Sequence, residues 1–208
     1  MKVTLVNPPY PPAVHAHPPF IPLGIAYLCA VAEKEGHQVT VIDCQAEKLN
    51  YEAFRERIRR TPSDIIGVTS TTLLYKSAMK LINEAKQAHP QAVTMLGGSH
   101  GTFWDENALN EYPSLDIVVR KEGETTFTEL LNKLQTKTSI NSVQGITFRH
   151  KNGKIIQILN VWSVGVAGDF ACFVAVGDAL DVFDVCLGLE FVEEFCEGCF
   201  SFSAYDDV

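Results

Sequence analysis

No lysine or arginine follows Lys154 in this chain of 208 residues, although ten of its 25 acidic residues do. All 17 basic side chains lie within residues 2–154, so the formal net charge of -8 averages two unlike polymers: a near-neutral body and an acidic tail. The body's densest basic cluster, Arg55, Arg57, Arg59 and Arg60, is interleaved with Glu52 and Glu56. That is the pattern of a solvated helix face, and no basic stripe exists to track phosphates, so no nucleic-acid partner is expected. Long apolar runs are also missing; none approaches the ~20 residues a bilayer span needs, and mean hydropathy is only +0.05. The opening MKVTLVNPPYPP breaks into prolines before a secretory core forms, and no small-residue cleavage site follows. The resulting expectation is a cytoplasmic chain without a membrane span.

Catalytic signatures are thin. There is no GxxxxGK[ST] phosphate loop, no HExxH and no GxGxxG dinucleotide fingerprint. The six cysteines are scattered, two in the body (Cys29 and Cys44) and four in the tail, and imply no disulfide framework.

What the body does hold is a strand–helix rhythm repeated five times. KVTLVN is an apolar strand ended by Pro8 and Pro9. IPLGIAYLCAVAEKEG is a helix with Ile25, Leu28, Cys29 and Ala32 on its apolar face, stopped by Gly36. QVTVIDC, DIIGVTSTT, QAVTMLGG and LDIVVRKEGE read as the remaining strands. NYEAFRERIRRT, capped by Asn50 with Phe54 and Ile58 inward, and YKSAMKLINEAKQAHP, with Ala78, Met79, Leu81, Ile82 and Ala85 along one side, are helices. ENALNEYP is a shorter helix, and TTFTELLNKLQ is a last one with Thr125 or Thr126 as its cap. The fold class expected is α/β, a Rossmann-like (flavodoxin-like) doubly wound parallel five-stranded sheet. SVQGITFRHKNGKIIQ then alternates around Asn152-Gly153, which predicts a β-hairpin with a type I′ turn closing the domain at about residue 156.

In an open parallel sheet, ligands bind beyond the carboxyl ends of the strands, where loops meet helix N-termini. Four such loops are unusual: residues 7–19, 70–73, 97–101 and 122–124. Gly97 and Gly98 allow close backbone approach, while Ser70, Thr71 and Thr72 offer short hydroxyls to a buried polar moiety. His15, His17 and His100 lie in these loops, His100 being the better candidate for an axial ligand, but no second ligand stands at metal-binding spacing. Glu122 and Glu124 suit a helix N-terminus electrostatically, without any catalytic duty.

VNPPYPP, the P-x-G-x-x-Y-L-x-A segment at 22–30, the VID ending the second strand, GVTSTT, GGSH and EGE, in that order, resemble the cobalamin-binding domain that precedes the barrel of many radical S-adenosylmethionine enzymes. The resemblance covers about residues 1–156. It implies a corrinoid held over the C-terminal sheet edge. Ser70, Thr71, Thr72, Gly97 and Gly98 would line the nucleotide-tail pocket, and Asn7, Pro8, Pro9, Leu23, Gly24, His100, Glu122, Gly123 and Glu124 would surround or underlie the corrin. Two departures stand out: the D-x-H-x-x-G motif of methionine-synthase-like domains is absent, and Lys121 occupies a position where the family usually shows glycine. A [4Fe-4S] cluster and S-adenosylmethionine are expected only in full-length relatives, because the CxxxCxxC motif that binds the cluster is missing; Cys196-Glu-Gly-Cys199 is read as coincidence. The expected function is a corrinoid-binding module of the methyltransferase type, without catalysis of its own. A glycosyltransferase-like N-terminal half and a non-catalytic flavodoxin-like sensor remain the alternatives. Residues 157–208, rich in Val, Gly, Asp, Phe and Cys, are expected to be a frameshifted or disordered tail, the other reading being a small acidic extension with strands at FACFVAV and LEFVEEF.

Overall fold

A computed structural model describes residues 1–11, 20–150 and 152–159, together with the backbone of two strands at 161–165 and 171–175. The chain divides into two units, Met1–Ile158 and Leu159–Val208.

The first unit alternates β1 (Lys2–Asn7), α1 (Leu23–Lys34), β2 (Gln38–Asp43), α2 (Tyr51–Arg59), β3 (Ile65–Thr69), α3 (Tyr75–Ala88), β4 (Val93–Gly97), α4 (Ser99–Phe103), α5 (Asp105–Glu111), β5 (Ile117–Val119) and α6 (Glu124–Gln135). The strands β6 (Ile146–Arg149) and β7 (Ile155–Ile158) follow. Strand order is β2-β1-β3-β4-β5-β6-β7. The first five strands are parallel, in the 2-1-3-4-5 order of flavodoxin-like folds.

Near-continuous apolar strands put side chains on both faces, and helices cover both. Val6, Ile42, Ile66, Val68, Leu96 and Val118 meet Phe54 and Ile58 of α2 and the inward side of α3. Val3, Leu5, Ile65, Met95, Ile117 and Val119 meet Ile25 and Ala32 of α1 and Phe127, Leu130 and Leu131 of α6. Asn50 caps α2 as expected, its side chain accepting the Ala53 N–H at 2.8 Å.

Four features depart from the sequence expectations. The sheet is larger than the five parallel strands expected: β6 pairs antiparallel with β5, and β7 with β6, giving one mixed seven-stranded sheet. Its turn is not type I′, because at Asn152-Gly153 only the glycine takes a positive φ, +84°. The His150 N–H donates to the Lys154 carbonyl and the Gly153 N–H to the His150 carbonyl, each at 2.8 Å. That is the pattern of an ordinary turn followed by a left-handed glycine bulge. Neither threonine caps α6; Gly123 holds the cap position, and Thr126 is buried, its hydroxyl donating to the Gln144 carbonyl at 3.0 Å. The short helix α4 has no counterpart in the sequence reading.

In the second unit, β8 (Val161–Gly165) and β9 (Ala171–Ala175) pair antiparallel. β9 falls in the FACFVAV run; LEFVEEF lies outside the described residues. No described helix is long and apolar enough to cross a membrane.

Candidate functional site

The face of the sheet under α1 and α6 holds a cleft of about 160 Å³. Its origin is a missing side chain in mid-sheet. Gly67 of β3 pairs with Leu5 on one side and Met95 on the other, and a Cβ there would stand 3.0 Å from Leu5 Cδ2. Leu28 of α1, Phe127 of α6 and Val119 of β5 complete apolar walls. Of the residues nominated from sequence, Gly24, Gly97, Gly98, Glu122, Gly123 and Glu124 line this cleft. A Cβ on Gly24 or Gly97 would meet nothing within 4 Å, so at both positions the backbone borders open space.

Ser70, Thr71 and Thr72 lie beside the cleft without lining it. Ser70 is fully buried; its N–H donates to the Gly97 carbonyl at 2.8 Å, its carbonyl accepts the His100 N–H at 3.2 Å, and its hydroxyl donates to the Thr71 carbonyl at 3.0 Å. Ser70 therefore joins the third loop to the fourth. Gly98 is fixed by the same contact: its φ is +90°, and a Cβ would come within 2.4 Å of the Ser70 oxygen. His100 Nδ1 lies 3.2 Å from Thr72 Oγ1, and its ring centre lies 4.3 Å from that of Tyr75, tilted by 45°, and 6.5 Å from that of Trp104. The Tyr75 hydroxyl is pushed up to about 12, by burial first and then by Glu111 and Tyr112.

Lys121 adopts φ +57°, the left-handed conformation that explains why glycine suits this place, and its N–H donates to Thr102 Oγ1 at 2.8 Å. Gly123 packs close, a Cβ there standing 3.4 Å from Val119 Cγ1.

Asn7 is buried, and its amide donates to Asp43 Oδ1 at 3.0 Å. Gln45 Nε2 donates to the Pro8 carbonyl at 2.9 Å, so Asn7 and Pro8 tie β1 to the turn after β2; Pro9 follows, half-buried. Leu23 opens α1, largely exposed. His15 and His17 lie outside the described residues. Phe20, Ile21, Leu73, Phe103 and Trp104 are exposed apolar side chains in the segments that follow β1, β3 and β4, Phe103 ending α4. The sequence reading passed over them. A run of large apolar residues in loops was the available signal.

Residues 97–101, GGSHG, also spell the G-x-S-x-G of a hydrolase elbow at a strand-to-helix turn. The geometry does not support one. The positive φ belongs to Gly98 and not to Ser99. Among the described residues no histidine is hydrogen-bonded to a carboxylate, and no three His, Cys, Asp or Glu side chains gather as a metal site.

The family comparison decides between the readings: the B12 binding domain family matches residues 13–131, more than half of the chain. The chain belongs to the B12-binding domain family. The expectation of a corrinoid-binding module is the one this match supports, and nothing in the comparisons favours the glycosyltransferase or sensor alternatives. Among curated relatives, this B12-binding domain is 35% identical over 157 residues to an uncharacterized methyltransferase of Pyrococcus horikoshii, covering 74% of this chain and 34% of that protein. It is 32% identical to the anaerobic magnesium-protoporphyrin IX monomethyl ester cyclase of Rubrivivax gelatinosus, covering 65% and 25%. The chain thus spans about a third and a quarter of the length of these two relatives. Its fold is that of the radical S-adenosylmethionine methyltransferase TsrM from Kitasatospora setae, solved with cobalamin and a [4Fe-4S] cluster (TM-score 0.67, 18% identity, 81% of this chain and 30% of that one). The cobalamin-dependent radical enzyme OxsB, solved with aqua-cobalamin and S-adenosylmethionine, has the same fold (TM-score 0.66, 24% identity, 76% and 22%).

Proposed function

We propose that this chain holds a cobalamin, as the corrinoid-binding part of a radical S-adenosylmethionine enzyme of the methyltransferase type, and catalyses no reaction by itself. The observation that carries the reading is the glycine-bordered cleft opening at the carboxyl edge of the sheet. Gly24, Gly67 and Gly97 leave room for a flat nucleotide base without an energetic cost of displacing side chains. In this reading Gly97, Gly98 and Gly24 border the nucleotide tail, and Glu122, Gly123 and Glu124 flank it from the fifth loop. Thr71 and Thr72 offer hydroxyls, Ser70 sets the spacing of two loops, and Asn7, Pro8 and Pro9 shape the first. His100 and the exposed apolar rim, Leu23 included, would support the macrocycle. Bound cobalamin supplies a cobalt centre able to carry a methyl group. The [4Fe-4S] cluster and S-adenosylmethionine belong to the further length that the relatives possess, the protein working in the cytoplasm.

Gly97→Leu separates tail binding from folding, because a Cβ there meets no protein atom within 4 Å and the rest of the side chain would extend into the cleft. In the full chain, this variant should keep the wild-type unfolding midpoint and lose affinity for cobalamin, while cobinamide, which lacks the nucleotide tail, binds both proteins alike. Equal cobalamin affinity in the two proteins would remove the tail from this cleft.

A further inference from the structure

Asp105, at the start of α5, is 7% exposed and uses its two carboxylate oxygens for different tasks. Oδ1 accepts the Glu106 N–H at 2.9 Å, serving the helix end. Oδ2 accepts the Thr147 hydroxyl at 2.6 Å and the Gln157 side-chain amide at 2.9 Å, and lies 3.2 Å from Arg120 Nε, at ion-pair distance. Thr147 is on β6 and Gln157 on β7, whereas Arg120 directly precedes the fifth loop. One buried carboxylate therefore binds the end of the fourth loop, the root of the fifth and both strands of the hairpin. A second tie joins the same two loops nearer the cleft, where the Lys121 N–H donates to Thr102 Oγ1 at 2.8 Å.

This network exceeds what strand pairing requires, since β5, β6 and β7 already form a ladder. Its distinctive product is the fixed placement of Glu122, Gly123 and Glu124 against Gly97 and Gly98 across the cleft. We infer that Asp105 and Thr102 are positioning residues of the corrinoid site, and that the hairpin is a brace that holds the fifth loop in binding geometry. The inference rests on the cobalamin reading and assigns ligand-binding work to residues that touch no ligand.

The test uses the full chain as wild type, Asp105→Asn and Thr102→Val, with three readouts: hydroxocobalamin affinity by absorbance titration, amide hydrogen exchange, and unfolding midpoint. Each substitution should weaken affinity by about tenfold, a common size for coupling between neighbouring sites. Each should also speed exchange of the 120–124 amides while β1 and β3 keep wild-type protection. A purely structural role predicts faster exchange across the whole sheet and wild-type affinity in the folded fraction, and that result overturns the inference. Asp105→Asn leaves Arg120 buried without its counter-charge and risks unfolding. Thr102→Val, which removes one hydroxyl from a half-buried position in α4, then decides alone. Failure of the wild type to bind any corrinoid is a separate result, which brings down the cobalamin reading and this inference with it.

Discussion

A methyl group on Gly98 would press on the Ser70 carbonyl oxygen in a backbone conformation, φ +90°, that side chains rarely adopt. Both penalties act together, so Gly98→Ala is expected to cost about 3 kcal/mol in urea unfolding; a loss below about 1 kcal/mol would mean that the third and fourth loops part easily. Lys121 presents the opposite case. Its φ of +57° is met by a residue with a Cβ, so Lys121→Gly should stabilise the chain by up to about 1 kcal/mol. A destabilisation would show that the lysine side chain itself contributes more than the strain it causes. His37 gives a pH dependence. Burial, and second the Met1 amino group 3.3 Å away, hold its imidazole below the usual value, with Glu35 opposing. The fold thus favours the neutral ring. Its contribution is complete above the unfolded pKa of about 6.5 and is lost as pH falls through the lower folded value. Wild type should therefore lose more stability than His37→Gln between about pH 7 and pH 5 in denaturant titrations; parallel curves would contradict this.

Elements with long, strongly periodic sequences were legible. Phe54 and Ile58 of α2, and Ala78, Met79, Leu81, Ile82 and Ala85 of α3, all lie in the core, as their spacing requires. Asn50→Ala should cost about 1 kcal/mol through the lost cap, measured as a shift in unfolding midpoint; no shift would mean that the Ala53 N–H finds another acceptor. Where physics is non-local, the sequence is silent. The five residues of α4, SHGTF, offer no apolar period and owe their helix to the Gly98 turn and the packing of Gly101 on Val118. Thr126 carries a good capping side chain, yet the Gln144 carbonyl from the β6 approach claims its hydroxyl. The carboxylate that joins both hairpin strands, Asp105, lies 42 residues from Thr147 and 52 from Gln157, a separation that no local pattern encodes.

At the scale of the whole molecule, the strand order places every nominated loop at one sheet edge, and this much followed from the βα rhythm alone. The cleft itself did not. It arises because Gly67 faces Leu5 and Met95 from neighbouring strands, and only register brings those three together. Ser70 was nominated by residue type and by the resemblance, and Asn7 by the resemblance alone; the hydrogen bonds of both run to neighbouring loops and strands. Four of the nominated glycines, Gly24, Gly97, Gly98 and Gly123, border the cleft, offering space instead of a functional group. The central claim is that this space takes the nucleotide tail of a bound corrinoid, and the most direct test is the visible spectrum of the full chain after incubation with excess hydroxocobalamin and desalting. The account predicts a coloured protein carrying about one corrinoid per chain, as expected if this cleft takes the tail; a colourless protein at high ligand concentration would contradict it.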